Sequence, residues 1–537
     1  MHWNRVPASQ DTFPAILERM AQTDPERPFA RSVEGGSATW GQLHVASTQW
    51  ADRFVALGVR RGDVVATIMD SGLDSLAMWL GLAVIGAVDA TINSAFRGRM
   101  LAYAVNKCRP ATVVVATPHL ANLEAVADEL ESVTQVLVIG AEEAPHASRL
   151  PAVTSLNSLR QEPGIARPHM AMPQWHDIAC ITYTSGTTGP SKAVMLPWGQ
   201  LNCINLSTFP FDDLDASDRF YCFTSHAHFG SKSIPYLAAM VGGEVVIRSR
   251  FSLNSFWADI AEFGITTASL VGTMADMLAR SPESPRETPL RNLFMAPLGD
   301  SYRQFSERFD VRICTVYNST ENGVPICSGW NPANGRTVGK LRQGYPGFEV
   351  RIVDEHDNEL PDGVAGECIV RSSMPWTMNA GYFNDPEATA RAWRNGWFHT
   401  GDALLRTPDG DYVFVDRLKD VIRRRGENIS SCEVEADVLL NPEVVECAAV
   451  PVAADTQEDE ILLFVVRRAG STISPQDLCA DLESRMTRFM LPRYVELLDS
   501  LPKTQATERV LKAELRKRGL GPNTWDRERS AFVAASN

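Results

Sequence analysis

The sequence predicts an α/β protein: a large N-terminal domain of several subdomains, with mainly parallel sheets and a small β subdomain, followed by a small α+β C-terminal domain. Three observations carry that expectation. Apolar helical stretches such as Leu73 to Ile85 alternate with short β-rich runs such as Val64 to Ile68 and Thr112 to Val115, the order that parallel sheets and covering helices require. From Thr337 to Val415 the β-rich runs are instead separated by turn signals, Asp357-Asn358, Pro361-Asp362-Gly363 and Pro408-Asp409-Gly410, as in a small antiparallel unit. Beyond Asp416 the pattern is mixed again. The main boundary therefore falls at 416–420, dividing the chain into 1–415 and 416–537.

Length and charge narrow the function. A chain of 537 residues is long enough for more than one core. Lys plus Arg 51 against Asp plus Glu 65 leaves a formal charge of -14, which argues against a nucleic-acid partner, since such proteins carry a basic excess. Any phosphate must be held by a few local groups. The 10 cysteines, among them Cys108, Cys180, Cys203, Cys314 and Cys447, form neither a Cys-x-x-Cys pair nor a cluster at zinc spacing. They read as reduced thiols of a cytoplasmic protein. Met1 to Thr12 has no basic stretch leading into an apolar core, and no apolar run reaches the ~20 residues of a membrane span.

The strongest local signal is Ile181-Thr182-Tyr183-Thr184-Ser185-Gly186-Thr187-Thr188-Gly189-Pro190-Ser191-Lys192. A β-like run opens into hydroxyls, two glycines and a lysine. Glycines let backbone N–H groups turn inward, the hydroxyls of Thr184, Ser185, Thr187 and Thr188 donate further bonds, and Lys192 supplies a point charge. The spacing is not that of a Walker loop. A loop of this composition is by default a polar connection between sheet and helix; its density of hydroxyls and glycines ending in a lysine makes it a phosphate cradle.

That segment resembles the phosphate-binding signature of the adenylate-forming superfamily of acyl-CoA ligases, luciferases and peptide-synthetase adenylation domains. Further elements resemble the family in the same order: Tyr317-Asn318-Ser319-Thr320-Glu321, Gly396 to Asp402, Asp416-Arg417-Leu418-Lys419-Asp420, and Arg425-Gly426-Glu427-Asn428-Ile429-Ser430. The wording of the last is similar to ligases of the carnitine and fatty-acid type. Together the matches span nearly the whole chain.

The resemblance implies roles residue by residue. Gly186, with the loop hydroxyls and Lys192, would hold nucleotide phosphates. Thr320 would bond the α-phosphate and Glu321 would bind Mg2+, a hard cation suited to one or two carboxylates plus phosphate oxygens. Tyr317 and Asn318 would line the adenine site. Asp402, an acceptor-only group, would take both ribose hydroxyls, with Arg417 as a cationic neighbour. His226 or His228, and Val271, Gly272, Thr273 and Met295, would line the acyl pocket; which histidine does so is open, and a structural histidine is the ordinary alternative for each. Gly426, Glu427 and Asn428 would border the CoA channel. Lys419 would be the hinge about which the C-terminal domain moves.

The chain also departs from the family. Relatives end with a catalytic lysine in Pro-Lys-Thr-x-x-Gly-Lys, where this chain reads Pro502-Lys503-Thr504-Gln505-Ala506-Thr507-Glu508-Arg509. Without a gap the position holds Glu508; with one inserted residue it holds Arg509, the preferred alignment. A planar guanidinium is not isosteric with an ammonium. Asn318, Ala193 and Met295 also stand where smaller residues are usual, and Ser191 replaces a common proline. The expectation is an acid–thiol ligase that makes an acyl-CoA thioester through an acyl-adenylate, with adenylation weak or lost, so that preformed adenylate is used and a separate adenylating enzyme is called for. ATP/AMP, Mg2+ and CoA are the implied cofactors. The rivals are a complete ATP-dependent synthetase, a luciferase-like oxygenase and a non-catalytic adenylate-binding protein.

Overall fold

The computed structural model describes residues 12–533 apart from 144–148, 157–171, 185–190, 283, 299–301, 345, 421, 425–426, 454–458, 484–485, 487, 489 and 504–509. Two seven-stranded sheets dominate the N-terminal part, and both are parallel except for one edge strand. The first runs Arg312–Cys314, Asn292–Met295, Thr267–Leu270, Arg219–Cys222, Glu244–Ile247, Pro28–Ser32 and Ser37–Thr39. The second runs Val153–Ser155, Gln135–Ile139, Thr112–Ala116, Val64–Ile68, Val88–Thr91, Ile178–Thr184 and Lys192–Pro197. Val113, Val114 and Val115 are all buried, the continuous apolar run of a strand covered on both faces.

Helices close these sheets for local reasons. Trp40–Ala56 begins with a capping box, Thr39 Oγ1 accepting from the Gln42 N–H and Gln42 Oε1 from the Thr39 N–H. It packs on Leu73–Val84 at Gly81, where a Cβ would lie 2.7 Å from both Ser47 O and Trp50 Cβ. Only glycine allows that approach. An aromatic cluster of Phe13, Phe29, Trp40, Trp79, Trp198 and Tyr236 fills the space between the two sheets.

The turn-punctuated region forms the expected antiparallel unit. Its sheet has eight strands and begins earlier than the turn signals do, at Val316–Ser319 and Gly323–Cys327. Its strand Asp411–Arg417 ends where a turn over 418–420 begins. A short hairpin, Ile422–Arg424 with Glu427–Ile429, leads into the helix Ser431–Leu439 and a five-stranded mixed sheet with its own core. Among the described residues no helix is long and apolar enough to cross a membrane.

Candidate active site

In parallel sheets ligands bind beyond the carboxyl ends of the strands, where loops gather. Here three structures meet at such an edge. Thr184 ends one strand of the second sheet and pairs in register with Lys192, so the hydroxyl-rich loop is the connection between antiparallel neighbours. In the first sheet Leu270 and Met295 end adjacent strands, with Val271 following the first, and the segment 223–229 follows a third. Tyr317 follows the edge strand Arg312–Cys314 at once, which carries it into the antiparallel sheet.

Register explains the centre of the site. Asp402 and Arg417 are direct cross-strand partners, so the Arg417 Nε to Asp402 Oδ1 contact of 3.2 Å follows from the pairing. The Tyr317 hydroxyl donates to Asp402 Oδ2 at 2.8 Å. Tyr317 is 5% and Asp402 4% exposed, and burial, with Asp402 beside it, holds the tyrosine proton well above its ordinary range. The result is a fixed carboxylate flanked by a neutral donor and a cation.

Thr320 and Glu321 occupy the turn between Val316–Ser319 and Gly323–Cys327. Gln200 Nε2 donates to the Thr320 carbonyl at 2.8 Å and the Glu321 carbonyl at 3.2 Å, and Asn379 Nδ2 donates to Glu321 O at 2.8 Å. The Tyr382 hydroxyl donates to Glu321 Oε1 at 3.3 Å, while Lys192 Nζ sits 4.6 Å from the centre of the Tyr382 ring. Burial pushes the Glu321 carboxyl above its usual pKa despite the positive charge of Arg417 and Lys192. Gln200, Asn379 and Tyr382 were not singled out in the sequence. The signal available was a run of polar residues, Gln200, Asn202 and Asn205, inside a helix that is buried on all sides.

Positive charge converges on the same place. Lys419 loses proton affinity first through burial and then through the charges of Lys192, Arg516 and Arg417. Crowded cations of this kind favour a polyanion. Arg516 is itself bonded to Asp420, the last residue of the turn after the antiparallel sheet.

The two histidines differ. His226 is 1% exposed, and its Nε2 lies 2.8 Å from Thr67 Oγ1. His228 Nδ1 accepts from the Gly230 N–H at 3.0 Å, closing its own turn. Burial pushes their pKa values down to about 3 and about 4, so both are neutral at physiological pH. Met295 is buried in the core of the first sheet, with Gly272 buried beside it at the start of its helix. Ser185, Gly186, Thr187, Thr188, Gly426 and Arg509 lie outside the described residues, as do the side chains of Thr273, Glu427 and Asn428.

Lys512 is bound elsewhere. Its Nζ is 2.7 Å from Glu435 Oε1 and also donates to Ser431 Oγ, whose oxygen in turn donates to Asp416 Oδ2. Burial works against that charge, but Glu435 beside it holds its pKa above the lysine norm. Lys503 and Val510, which bracket the segment bearing Arg509, form an isolated bridge, and Lys503 is paired with Glu446.

The geometry around Asp402 supports a direct test. Asp402→Ala is expected to weaken binding of a non-hydrolysable acyl-adenylate by about 1–3 kcal/mol, the range for leaving polar partners unpaired. Calorimetry reads the change, and an unaltered Kd removes Asp402 from the nucleotide site.

The sequence model described as AMP-binding enzyme matches residues 17–383, and that described as AMP-binding enzyme C-terminal domain matches 433–507. Similar proteins include the crotonobetaine/carnitine–CoA ligase of Proteus mirabilis (strain HI4320), 30% identical over 487 residues, covering 89% of this chain and 92% of the relative. The ligase of the same name from Salmonella arizonae (strain ATCC BAA-731 / CDC346-86 / RSK2980) is 28% identical over 488 residues, 89% of this chain and 93% of its own. Among solved structures, ATP-bound MatB from Rhodopseudomonas palustris superimposes with a TM-score of 0.78 at 23% identity, covering 94% of this chain and 98% of that one. The anthranilate CoA ligase AuaEII with anthranoyl-AMP gives 0.79 at 21% identity, with 95% and 98% covered. These two likenesses establish the fold.

Proposed function

The chain belongs to the AMP-binding enzyme family, and from that premise we propose that it joins a carboxylic acid to CoA through an acyl-adenylate, using ready-made adenylate far better than it makes it. The observation that carries the first part is the Asp402 carboxylate held between Tyr317 and Arg417, with Glu321 and the Lys192, Arg417 and Lys419 charges close by. Asp402 accepts the ribose hydroxyls. The cations and the hydroxyl loop beginning at Thr184 hold the phosphate.

Magnesium fits this chain on one count. Glu321 is a buried carboxylate whose ionised form is left short of compensation by its neighbours, which a hard cation shared with phosphate oxygens would supply. No group of three or more His, Cys, Asp or Glu among the described residues could hold a metal without a ligand's help. When bound, the ion neutralises phosphate charge; Glu321 orients it, and Gln200 and Asn379 keep the Glu321 backbone in place.

In the thioester-forming half, the CoA sulfur attacks the acyl carbonyl, the bond from that carbon to the phosphate oxygen breaks, and AMP departs with the electron pair. Positioning and a good leaving group supply much of that rate. In the first half a carboxylate oxygen attacks the α-phosphorus and pyrophosphate leaves. Relatives neutralise the crowded anions there with a lysine, where this chain has Glu508 or Arg509, and Lys512 is engaged by Glu435 and Ser431. These two facts support the weaker first half.

The test compares two feeds. Protein is given CoA and ATP with a panel of acids, and in parallel CoA with the matching synthetic adenylates, and thioester is followed by mass. Thioester far faster from the adenylates than from ATP and acid is the expected result. Equal rates from both feeds make it a complete synthetase, and none from either leaves an adenylate-binding protein.

Domain movement about 416–420 belongs to the same proposal, dividing the chain into 1–415 and 416–537. Lys419→Pro fixes one backbone torsion and removes a donor, so thioester formation is expected to fall more than adenylate affinity. Equal loss of both in a protein with unchanged circular dichroism would count against a rotating mechanism.

A further inference from the structure

Behind His226 lies a buried polar chain that the reaction described above does not use. Thr67 lies near the carboxyl end of the second sheet's central strand Val64–Ile68, Asp89 lies on the neighbouring strand, and Lys232 comes from the helix Gly230–Val241 over the first sheet. Lys232 Nζ is 2.7 Å from Asp89 Oδ2, with the two side chains 2% and 0% exposed. Trp79 lies beneath the ammonium, 5.0 Å from its ring centre. Thr67 Oγ1 is 2.6 Å from Asp89 Oδ1 and 2.8 Å from His226 Nε2.

Proton counting settles the direction of each bond. Asp89 faces a lysine ammonium, and Lys232 holds its carboxyl below the usual range against the effect of burial. A carboxylate only accepts, so the single Thr67 proton goes to Asp89. The Thr67 oxygen must then accept from His226, which places the imidazole proton on Nε2. His226 is neutral, so Nδ1 is bare. That atom is buried and has no partner among the described residues.

A buried acceptor left unmet costs about 1–3 kcal/mol, so its place in the fold matters. His226 stands where the carboxyl edges of the two parallel sheets are stitched together, by its bond to Thr67 and by Ser71 Oγ donating to Thr224 O at 2.7 Å. Thr67 is in register with Thr91, and Thr91 with Thr182, so the three hydroxyls share one face across three strands. Thr182 Oγ1 is also buried without a partner among the described residues, two residues before Thr184. The seam between the two sheets therefore carries an unmet acceptor at His226 and an unmet hydroxyl at Thr182.

We infer that His226 Nδ1 receives a hydrogen bond from the substrate, so that the acids this enzyme takes carry a donor, a hydroxyl or an N–H, on the acyl chain, with Thr67, Asp89 and Lys232 as positioning residues that fix the histidine tautomer. This rests on the acyl-CoA ligase reading and on His226 facing the acyl group. A purely aliphatic chain leaves Nδ1 unmet; a hydroxyl satisfies it and can also accept from Thr182.

Two measurements test it. Synthetic acyl-adenylates are made as matched pairs, hydroxyacyl against the deoxy acyl of the same chain, with the hydroxyl at successive carbons, and kcat/KM for thioester formation is measured with CoA. The best hydroxyl isomer is expected to beat its partner roughly ten- to hundred-fold, and Thr67→Val, which removes the acceptor fixing Nε2–H, is expected to collapse that preference. Nitrogen-15 spectra of the wild-type imidazole, assigned against His226→Gln, should show Nε2 protonated and Nδ1 bare with no substrate present. Equal rates across every pair, or a proton found on Nδ1, overturn the inference while leaving the ligase reading in place. No thioester from any adenylate sinks the ligase reading and this inference with it. If Thr67→Val does not fold, the wild-type pairs and spectrum decide alone.

Discussion

Exchange of labelled pyrophosphate into ATP, driven by an acid whose adenylate the protein thioesterifies, is expected to run on the order of 10²–10³ slower than thioester formation from that adenylate, the usual effect of removing one preorganised donor aimed at developing charge. The substrate carboxylate and the α-phosphate are both anionic, and a compact ammonium between them stabilises the transition state by Coulombic attraction at short range. Arg509, the preferred occupant of that position, spreads its charge over a planar fork that demands different geometry. Lys512 is three residues further on, but it is buried against Glu435 and Ser431, and moving it out takes the ammonium away from the buried Glu435 carboxylate, which keeps the Ala449 N–H. Brisk acid-dependent exchange by the wild-type protein would show that one of these groups does the work. Where exchange is slow, Arg509→Lys is the informative variant, and deletion of one residue near Gln505 should be needed to restore register before exchange rises.

Lys232→Met is expected to destabilise the N-terminal part by about 3–5 kcal/mol, because it removes one partner of a buried ion pair and strands the other. Asp89 is wholly enclosed, and Thr67 is its remaining side-chain donor among the described residues. Urea denaturation of the full chain measures the loss. In the variant, burial dominates and the folded pKa of Asp89 rises above its unfolded value. Stability is then retained at pH below an unfolded aspartate's pKa and lost as pH rises towards the shifted value, so the deficit should be largest at neutral pH and fade in acid. Removing both charges with Asp89→Asn in the same chain should recover part of the loss as a coupling energy. A single-variant effect under about 1 kcal/mol would mean that the Asp89–Lys232 pair carries little of the packing between the sheets.

The proposed nucleotide half of the site was readable because its parts fall in short contiguous motifs. Thr184 and Arg417 end strands and Glu321 sits in a turn, where short polar motifs stand out from apolar strands, whereas Tyr317 and Asp402 lie within strands and stand out as polar residues in them. Their partners were not readable. Gln200 lies in a helix that reads as ordinary core, and Tyr382 is 61 residues from the carboxylate it touches. The antiparallel sheet begins near Val316 because strand pairing, a long-range property, recruits two strands that carry none of the later turn signals.

What the sequence determined by itself was the α/β architecture and the nucleotide motifs, since periodicity, turn chemistry and hydroxyl-glycine composition are local. It left the surroundings of His226, His228 and Lys512 open. Tertiary structure supplies them. His226 meets Thr67, 159 residues away, and Lys512 meets Ser431, 81 residues away. A titratable side chain takes its proton state and its reach from whichever charges and dipoles surround it in space, and no spacing along the chain specifies them.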